Sequence, residues 1–294
     1  MEIYVQLVLS GLFVGGIYAL ISVGLTLVFG VLRVVNFAHG EYLTLAMFLT
    51  FFLFHQVGLD PFVASLIVVP VLFVFGLITE RVLIRRTLEA PHVVQVFVTF
   101  ALSLFLQNLF LVLFTSDFRA VRTDYATAAI EIGPFYMSWL RMTAFATSIA
   151  LTVALALFLK YSYMGAAIRA TAQDRRSARL VGINVDRIYA LTFAIGCALV
   201  GAAGVLLAPL YPVNPYTGAD LILVAFVAVV LGGMGSIAGA TLAGLLIGVI
   251  ESFSSYFLGG EMKQFVYFIV FMAILAFRPV GFFGHKGAEV MDVT

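Results

Sequence analysis

Charge is what this sequence has least of. Only 11% of its 294 residues are charged, against 63% that are hydrophobic. That balance excludes a water-soluble fold, because the apolar excess has no interior large enough to hide in, and lipid must cover it. Cysteine is nearly absent as well. Cys197, the single one, sits in an apolar run and leaves no internal disulfide or cysteine-based metal cluster to build. No G-x-x-x-x-G-K-S/T loop is present to cradle phosphates, so any nucleotide-driven cycle needs a separate subunit. The sequence has no G-x-S-x-G, no H-E-x-x-H and no paired-carboxylate motif, which argues against an intramembrane hydrolase. Glu2 is the only charge before Arg33. The basic start of a cleaved signal peptide is therefore missing, and the first helix is expected to remain in the mature protein.

What is there is a series of charge-free stretches: Ile3 to Leu32, Tyr42 to Leu59, Pro61 to Thr79, Ala90 to Ser116, Met142 to Leu159, Ile188 to Ala219 and Leu221 to Ile250. Most are long enough for a bilayer core. A shorter one, Gln264 to Phe277, lies between Lys263 and Arg278. With the N-terminus outside, and Leu221 to Ile250 entering and returning, Arg33, Arg81, Arg85, Arg86, the basic residues from Lys160 to Arg187, Arg278 and Lys286 all fall inside. Only Arg119, Arg122, Arg141 and Lys263 fall outside. Twelve basic residues against four is the asymmetry of the positive-inside rule. The stretch Ser116 to Trp139, with Asp117, Asp124, Glu131 and Gly133-Pro134, reads as an irregular external loop. Tyr211 to Tyr216, held between Pro209, Pro212 and Pro215, reads as another.

Two segments are not simple spans. One is Arg33 to Glu41 and the other is Gly232-Gly233-Met234-Gly235-Ser236. Glycine at such breaks frees the backbone from helical geometry, which a membrane tolerates only where protein or a water-filled cavity satisfies it. Asn36, His39, Glu41, Gly232, Gly233, Gly235 and Ser236 are therefore candidates for a translocation pathway. Their places in opposite halves of the chain hint at the repeated halves common in transporters. For Asn36, His39 and Glu41 two readings stand. Glu41 is buried and needs a partner, His39 or an amide, or Asn36 caps the next helix while Glu41 sits against its positive end at the interface. Glu251 faces either a solvated cavity or the outer surface, and Gln95, Gln107 and Asn108 suit helix–helix hydrogen bonds. Gly11 and Gly15, and the series Ser236, Ala240, Gly244, Gly248, suit close helix packing within the chain or at a dimer seam.

The stretch Lys160 to Arg187 is the one strongly basic interruption. Helical spacing gathers Arg169, Arg175, Arg176 and Arg179 on one side and puts Ala167, Ala170, Asp174, Ser177, Ala178 and Val181 on the other, with Gly182 as the stop. Small residues allow docking in a partner's groove, while the arginines meet acidic groups or lipid phosphates. A loop attracted only to anionic lipid is the plainer reading.

Four segments carry a resemblance. Asn36-Phe37-Ala38-His39-Gly40-Glu41, Gly182-Ile183-Asn184-Val185-Asp186-Arg187, the run Ala190 to Gly196 leading to Ala203-Gly204-Val205-Leu206, and Leu231-Gly232-Gly233-Met234-Gly235-Ser236 together resemble the LivH-type permeases of branched-chain amino acid ABC importers. The resemblance runs from about Gly15 to Gly281. It implies an all-α integral membrane protein of about eight transmembrane helices with one or two broken or re-entrant segments, a single permease domain over 1–294 with a coupling loop at 160–188. It also implies a bacterial inner-membrane location, a homologous LivM-type permease, two cytoplasmic ATPases that bind ATP and Mg, and a periplasmic or surface-anchored binding protein. Neither a cofactor in this chain nor nucleic acid is expected. The ATPase contact falls at Ala170, Asp174, Ser177, Ala178 and Gly182, although Ala170-Thr171-Ala172-Gln173-Asp174 departs from the usual E-A-A start. Related permeases carry urea, amides or other amino acids. An ATP-independent transporter or channel, or a membrane enzyme acting through His39 or Glu41, are the rival classes.

Overall fold

A computed structural model describes residues 2–132, 135–278 and 281–283. Gly133 and Pro134, expected in an external loop, and Lys286, counted among the inner basic residues, lie outside the described residues. The centre of the bundle is α1 (Glu2–Leu32), a 31-residue helix with no charge after its first residue. Around it come α2 (His39–Phe52), extended by a π-turn (Leu53–Val57), and α3 (Pro61–Thr79), continued by a second π-turn (Glu80–Ile84) and the short α4 (Arg85–Thr87). Then follow α5 (His92–Phe114), the strands β1 (Ala129–Ile132) and β2 (Phe135–Ser138), and α6 (Trp139–Tyr161). The second half comprises α7 (Tyr163–Gln173), α8 (Arg175–Leu180), α9 (Val185–Leu207), α10 (Thr217–Gly232), α11 (Ile237–Leu258) and α12 (Lys263–Phe277).

Six of these helices are long and apolar enough to cross a membrane, and α10 and α12 are shorter apolar helices. That agrees with the expected all-α bundle of about eight spans. Burial separates two layers: the apolar windows of α1 and α9 are 78% and 83% buried, whereas that of α5 is 17% buried. The outer helices α3, α5 and α12 turn Leu66, Val112 and Met272 outward, the apolar periphery that lipid requires. One end of the bundle carries the basic α7–α8 loop. The opposite end carries the β-hairpin, paired from Ala129↔Ser138 to Ile132↔Phe135. A strand pair replaces the irregular loop expected there, because Ile130, Tyr136 and Met137 are residues that suit a pleated surface.

The closest packing is antiparallel, α1 against α11. Methyl groups at Gly244 and Gly11 would lie 2.6 Å from the Ala19 Cα and the Val249 Cα, and one at Gly248 would collide with the Gly15 backbone. The ridge of small residues is thus used within the chain, where backbone contact replaces the hydrophobic drive that lipid removes. Caps set the ends. Asp60 accepts from the Phe62 N–H at 2.9 Å ahead of Pro61, the helix-starting proline of α3.

Overpacking this seam is the direct test of it. Gly248→Leu should lower the stability of the purified protein by about 1–3 kcal/mol, read as a fall in its melting midpoint. Gly260→Ala, whose added methyl meets nothing within 4 Å, should leave the midpoint in place.

Candidate functional site

After α1 ends, Arg33 takes φ 56° and the chain turns back into the bundle. The Asn36 Oδ1 accepts from the Ala38 N–H at 3.1 Å, closing a local turn from which α2 starts. His39 Nε2 then donates to the Ile21 carbonyl at 3.2 Å. Ile21 lies eleven residues before the end of α1, about 16 Å along it, so α2 begins deep inside the bundle. At the same level the first turn of α10 crosses the first turn of α2. Gly40 and Gly218 meet backbone to backbone, and a methyl group on either would overlap the other's carbonyl. Two helix N-termini, each a positive end, therefore converge in the interior. Their first N–H groups are mostly taken up locally: His39 and Glu41 donate to the Asn36 and Ala38 carbonyls, and Thr217 and Ala219 to those of Asn214 and Tyr216.

The structure brings Asn36, His39 and Glu41 together and buries all three, at 0%, 0% and 1% exposure. This decides between the two readings of the motif. Asn36 does organise the start of α2, though Ala38 rather than Asn36 is the capping residue. Glu41 is not at an interface. Its partner is neither His39 nor an amide but the Ser103 hydroxyl of α5, which donates to Oε1 at 3.2 Å. Glu41 Oε2, Asn36 Nδ2 and His39 Nδ1 have no partner among the described residues.

Gly232, Gly233, Gly235 and Ser236 stand elsewhere. They form the tight turn between α10 and α11 at the basic end, with Gly233 and Gly235 at φ 94° and 89° and the Ser236 Oγ capping α11. Gly235 packs against Gly30 of α1, nine residues beyond Ile21 and about 13 Å from it along the helix. The Phe282 and Phe283 N–H groups donate to the Leu231 and Gly232 carbonyls at 2.8 and 3.1 Å, closing the end of α10. The interior break of the second half is instead Tyr216 to Gly218, which sequence reading placed at the edge of an external loop. The signal was present: Pro212 and Pro215 flank the turn-forming Asn214, which accepts from the Tyr216 N–H at 2.8 Å, and the helix that follows has only 16 residues.

The basic loop is not one helix over Ala170 to Gly182. It breaks at Asp174 (φ −150°, ψ 110°), which ends α7 and caps α8. Asp174 Oδ1 accepts from the Arg176 and Ser177 N–H groups at 2.7 and 3.3 Å, and Oδ2 accepts from the Ser177 hydroxyl at 2.6 Å. The Ser177 hydroxyl first, and then those N–H groups, hold the Asp174 carboxyl below its usual range. Arg169 consequently belongs to a different helix from Arg175, Arg176 and Arg179, and the arginine stripe drawn on one helix does not form. Asp174, Ser177 and Gly182 are exposed and Ala170 is half-buried, while Ala178 is turned into the protein at 3% exposure. The residues that sequence reading passed over or misplaced are apolar: Leu180 and Val181 stand 88% and 76% exposed at the tip. Beside them Arg179, Gly182, Ile183, Asn184, Val185 and Asp186 line an open groove of about 360 Å³.

This loop is fastened to the span beneath it. Asp186 pairs with Arg179 at 3.8 Å, and its carbonyl accepts from Arg85 at 3.1 Å. Arg85 in turn binds the fully buried Glu80 at 3.1 Å. At the hairpin end Glu251 is neither in an open cavity nor at the surface; it is nearly buried and paired with Lys263 at 2.7 Å. Gln95 and Asn108 bond to the carbonyls of Ala90 and Leu104 in their own stretch of chain rather than to another helix. Among the described residues no group of three or more His, Cys, Asp or Glu side chains is placed to hold a metal ion.

Comparison with known proteins agrees with this architecture. The family model described as "Branched-chain amino acid transport system / permease component" matches residues 7–275. The chain is 36% identical over 302 residues to the high-affinity branched-chain amino acid transport system permease protein BraD of Pseudomonas aeruginosa, covering 97% of each. It is 34% identical over 304 residues to the LivH permease proteins of Salmonella typhimurium and Escherichia coli, again covering 97% of each chain. No solved structure matches it. A match across nearly the whole chain, with the interior helix breaks and lipid-facing periphery of a multi-pass membrane protein, shows that it belongs to the permease-component family of branched-chain amino acid transport systems, a transport component and not a catalyst.

Proposed function

We propose that this chain forms half of the translocation pathway of an ATP-driven importer for branched-chain amino acids. Its basic end faces the bacterial cytoplasm. Its companions are a homologous second permease of the LivM type, two cytoplasmic ATPases that carry ATP and Mg, and a periplasmic or surface-anchored binding protein. The observation that carries this reading is the tip of α8. Leu180 and Val181 project into water at the end of the molecule where the positive-inside rule puts the cytoplasm, at the end of a short helix whose Arg175, Arg176 and Arg179 are also exposed. Exposed apolar side chains rimmed by charge are the mark of a protein contact. Ala170, Asp174, Ser177 and Gly182 shape that contact, Ala178 anchors it from below, and the two-helix geometry suits a cleft in the ATPase. The interior group of Asn36, His39 and Glu41 belongs to the pathway, and the turn from Gly232 to Ser236 to its cytoplasmic side. ATP hydrolysis then shifts a two-state permease between outward and inward openings.

Replacing the apolar tip tests this. The double change Leu180→Asp and Val181→Asp should leave the melting midpoint of the permease unchanged, abolish co-purification of the ATPases, and reduce leucine uptake to background. Normal assembly and uptake in that variant would reject the docking surface. ATP-independent uptake by the permease alone in proteoliposomes would reject the importer class.

The cap makes a second, separable prediction. Asp174→Ala removes the acceptor for the Arg176 and Ser177 N–H groups, so amide exchange across 175–180 should rise and ATPase association should weaken. Because the carboxyl is held below its usual range, the cap is complete above the ordinary carboxylate pKa. It is lost as pH falls through the lowered value. Protection across 175–180, taken relative to the intrinsic exchange rate at each pH, should therefore be flat near neutrality and fall only in acid.

A further inference from the structure

Among the described residues three carboxylates are buried, and they differ in what they face. Glu80 has Arg85 at 3.1 Å and Glu251 has Lys263 at 2.7 Å. Glu41 has a hydroxyl on one oxygen, nothing on the other, and no cationic side chain in salt-bridge reach. Buried acids are paired as a rule, because an isolated carboxylate is costly to remove from water. In the first two cases the cation is part of the protein. In the third it is not.

The surroundings of Glu41 describe what would supply it. Its partner Ser103 stands one helical turn beyond Phe100 on α5, so the two share a face. Phe100 meets Phe37 edge-on with ring centres 6.2 Å apart, and Phe37 lies 5.0 Å from Phe226 of α10. Ser103, Phe37 and Phe226 are half-buried and Phe100 is 47% exposed, so this cluster opens at the edge of the bundle with the carboxylate closed behind it. An anionic point beside an aromatic patch complements a molecule that carries an ammonium group one or two carbons from an aliphatic side chain. The converging first turns of α2 and α10 add two positive helix ends at the same level, where a carboxylate is drawn.

We infer that Glu41 and Ser103 bind the α-ammonium group of an amino-acid cargo, and that Phe37, Phe100 and Phe226 receive its aliphatic side chain. This assignment rests on the reading of the chain as an amino-acid permease. It makes Glu41 a ligand of the cargo in transit and the aromatic trio the part of this chain that senses side-chain size.

The test uses the assembled importer in proteoliposomes with its ATPases, second permease and loaded binding protein. In Ser103→Cys, a methanethiosulfonate reagent bearing an ammonium group should label about tenfold or more faster than one bearing a sulfonate, relative to their rates with a free thiol, as a charge-assisted contact implies. Adding Glu41→Gln should bring that ratio near one. Glu41→Gln alone should cut leucine uptake at saturating binding protein by about tenfold or more, with partial recovery in Glu41→Asp, and Phe100→Ala should change the ratio of leucine to alanine uptake. An unchanged labelling ratio on loss of Glu41, or wild-type leucine uptake by Glu41→Gln, overturns the site. Labelling reports the cation preference without transport. If the Ser103→Cys assembly shows the preference while the wild-type assembly accumulates no amino acid, the amino-acid reading is rejected and with it this cargo, leaving a cation site.

Discussion

Lipid offers no hydrogen-bond partner, so wherever this chain stops being helical inside the bilayer it must satisfy the freed N–H and C=O groups from its own atoms. That constraint explains where the breaks lie. The turn from Arg33 to Ala38 is tied to α5, whose Thr99 hydroxyl donates to the Val35 carbonyl, and closed by the Asn36 side chain, and the return of α10 to α11 takes its last carbonyl partners from Phe282 and Phe283. The first turns of α2 and α10 are closed locally, by the Asn36 and Asn214 side chains and the backbone bonds that follow them. They meet each other across Gly40 and Gly218, so two positive helix ends are brought to one place rather than scattered. A protein that only needed to span the membrane would gain nothing from starting two helices in its middle.

The same constraint divides the molecule into a stiff part and a part free to move. Along α1 and α11 the backbones touch at Gly11, Gly15, Gly244 and Gly248, and sliding either helix would drive side chains into main chain. That pair is a spine. The basic loop, in contrast, is two short helices with an exposed joint at Asp174, and it reaches the spans through named contacts: Arg179 to Asp186, Asp186 to Arg85, and Arg85 to the buried Glu80. A push at the tip of α8 therefore has a defined mechanical route into the π-turn that ends α3, and a π-turn is already a helix with one bond per turn displaced.

Much of this was legible in the sequence, and what was not has a physical reason. Charge-free length finds α1, α3 and α9, because hydropathy reports the solvent a segment must meet and little else. The glycines from Gly232 to Gly235 announce a turn but not its depth, and depth is fixed by packing against Gly30, far away in the chain. Tyr216 to Gly218 was missed for the converse reason: prolines and an asparagine look alike whether they bend a chain in water or inside a bundle. In the basic loop the periodicity of the arginines suggested one helix, but Asp174 competes for the backbone N–H groups ahead of it and turns a mid-helix position into a cap. Leu180 goes unremarked and Val181 is placed among the small residues because, in a sequence this apolar, two more aliphatic residues carry no signal until the structure shows them in water.

The buried carboxylates show how one kind of group serves different ends. Glu80 and Glu251 sit near opposite ends of the bundle, each sealed against a resident cation from a neighbouring element, so neither has unsatisfied charge to offer. Removing either cation would leave a buried charge unpaired, so these pairs resist separation and fix the elements they join. Glu41 lies between them in height, is as deeply buried, and is held by a neutral hydroxyl alone. A group so placed is stabilised less by the protein as it stands than by any state in which a cation arrives. The interior is thus the one level of this bundle where binding and rearrangement stabilise the same residue, and a step that couples cargo to conformation has to pass through such a place.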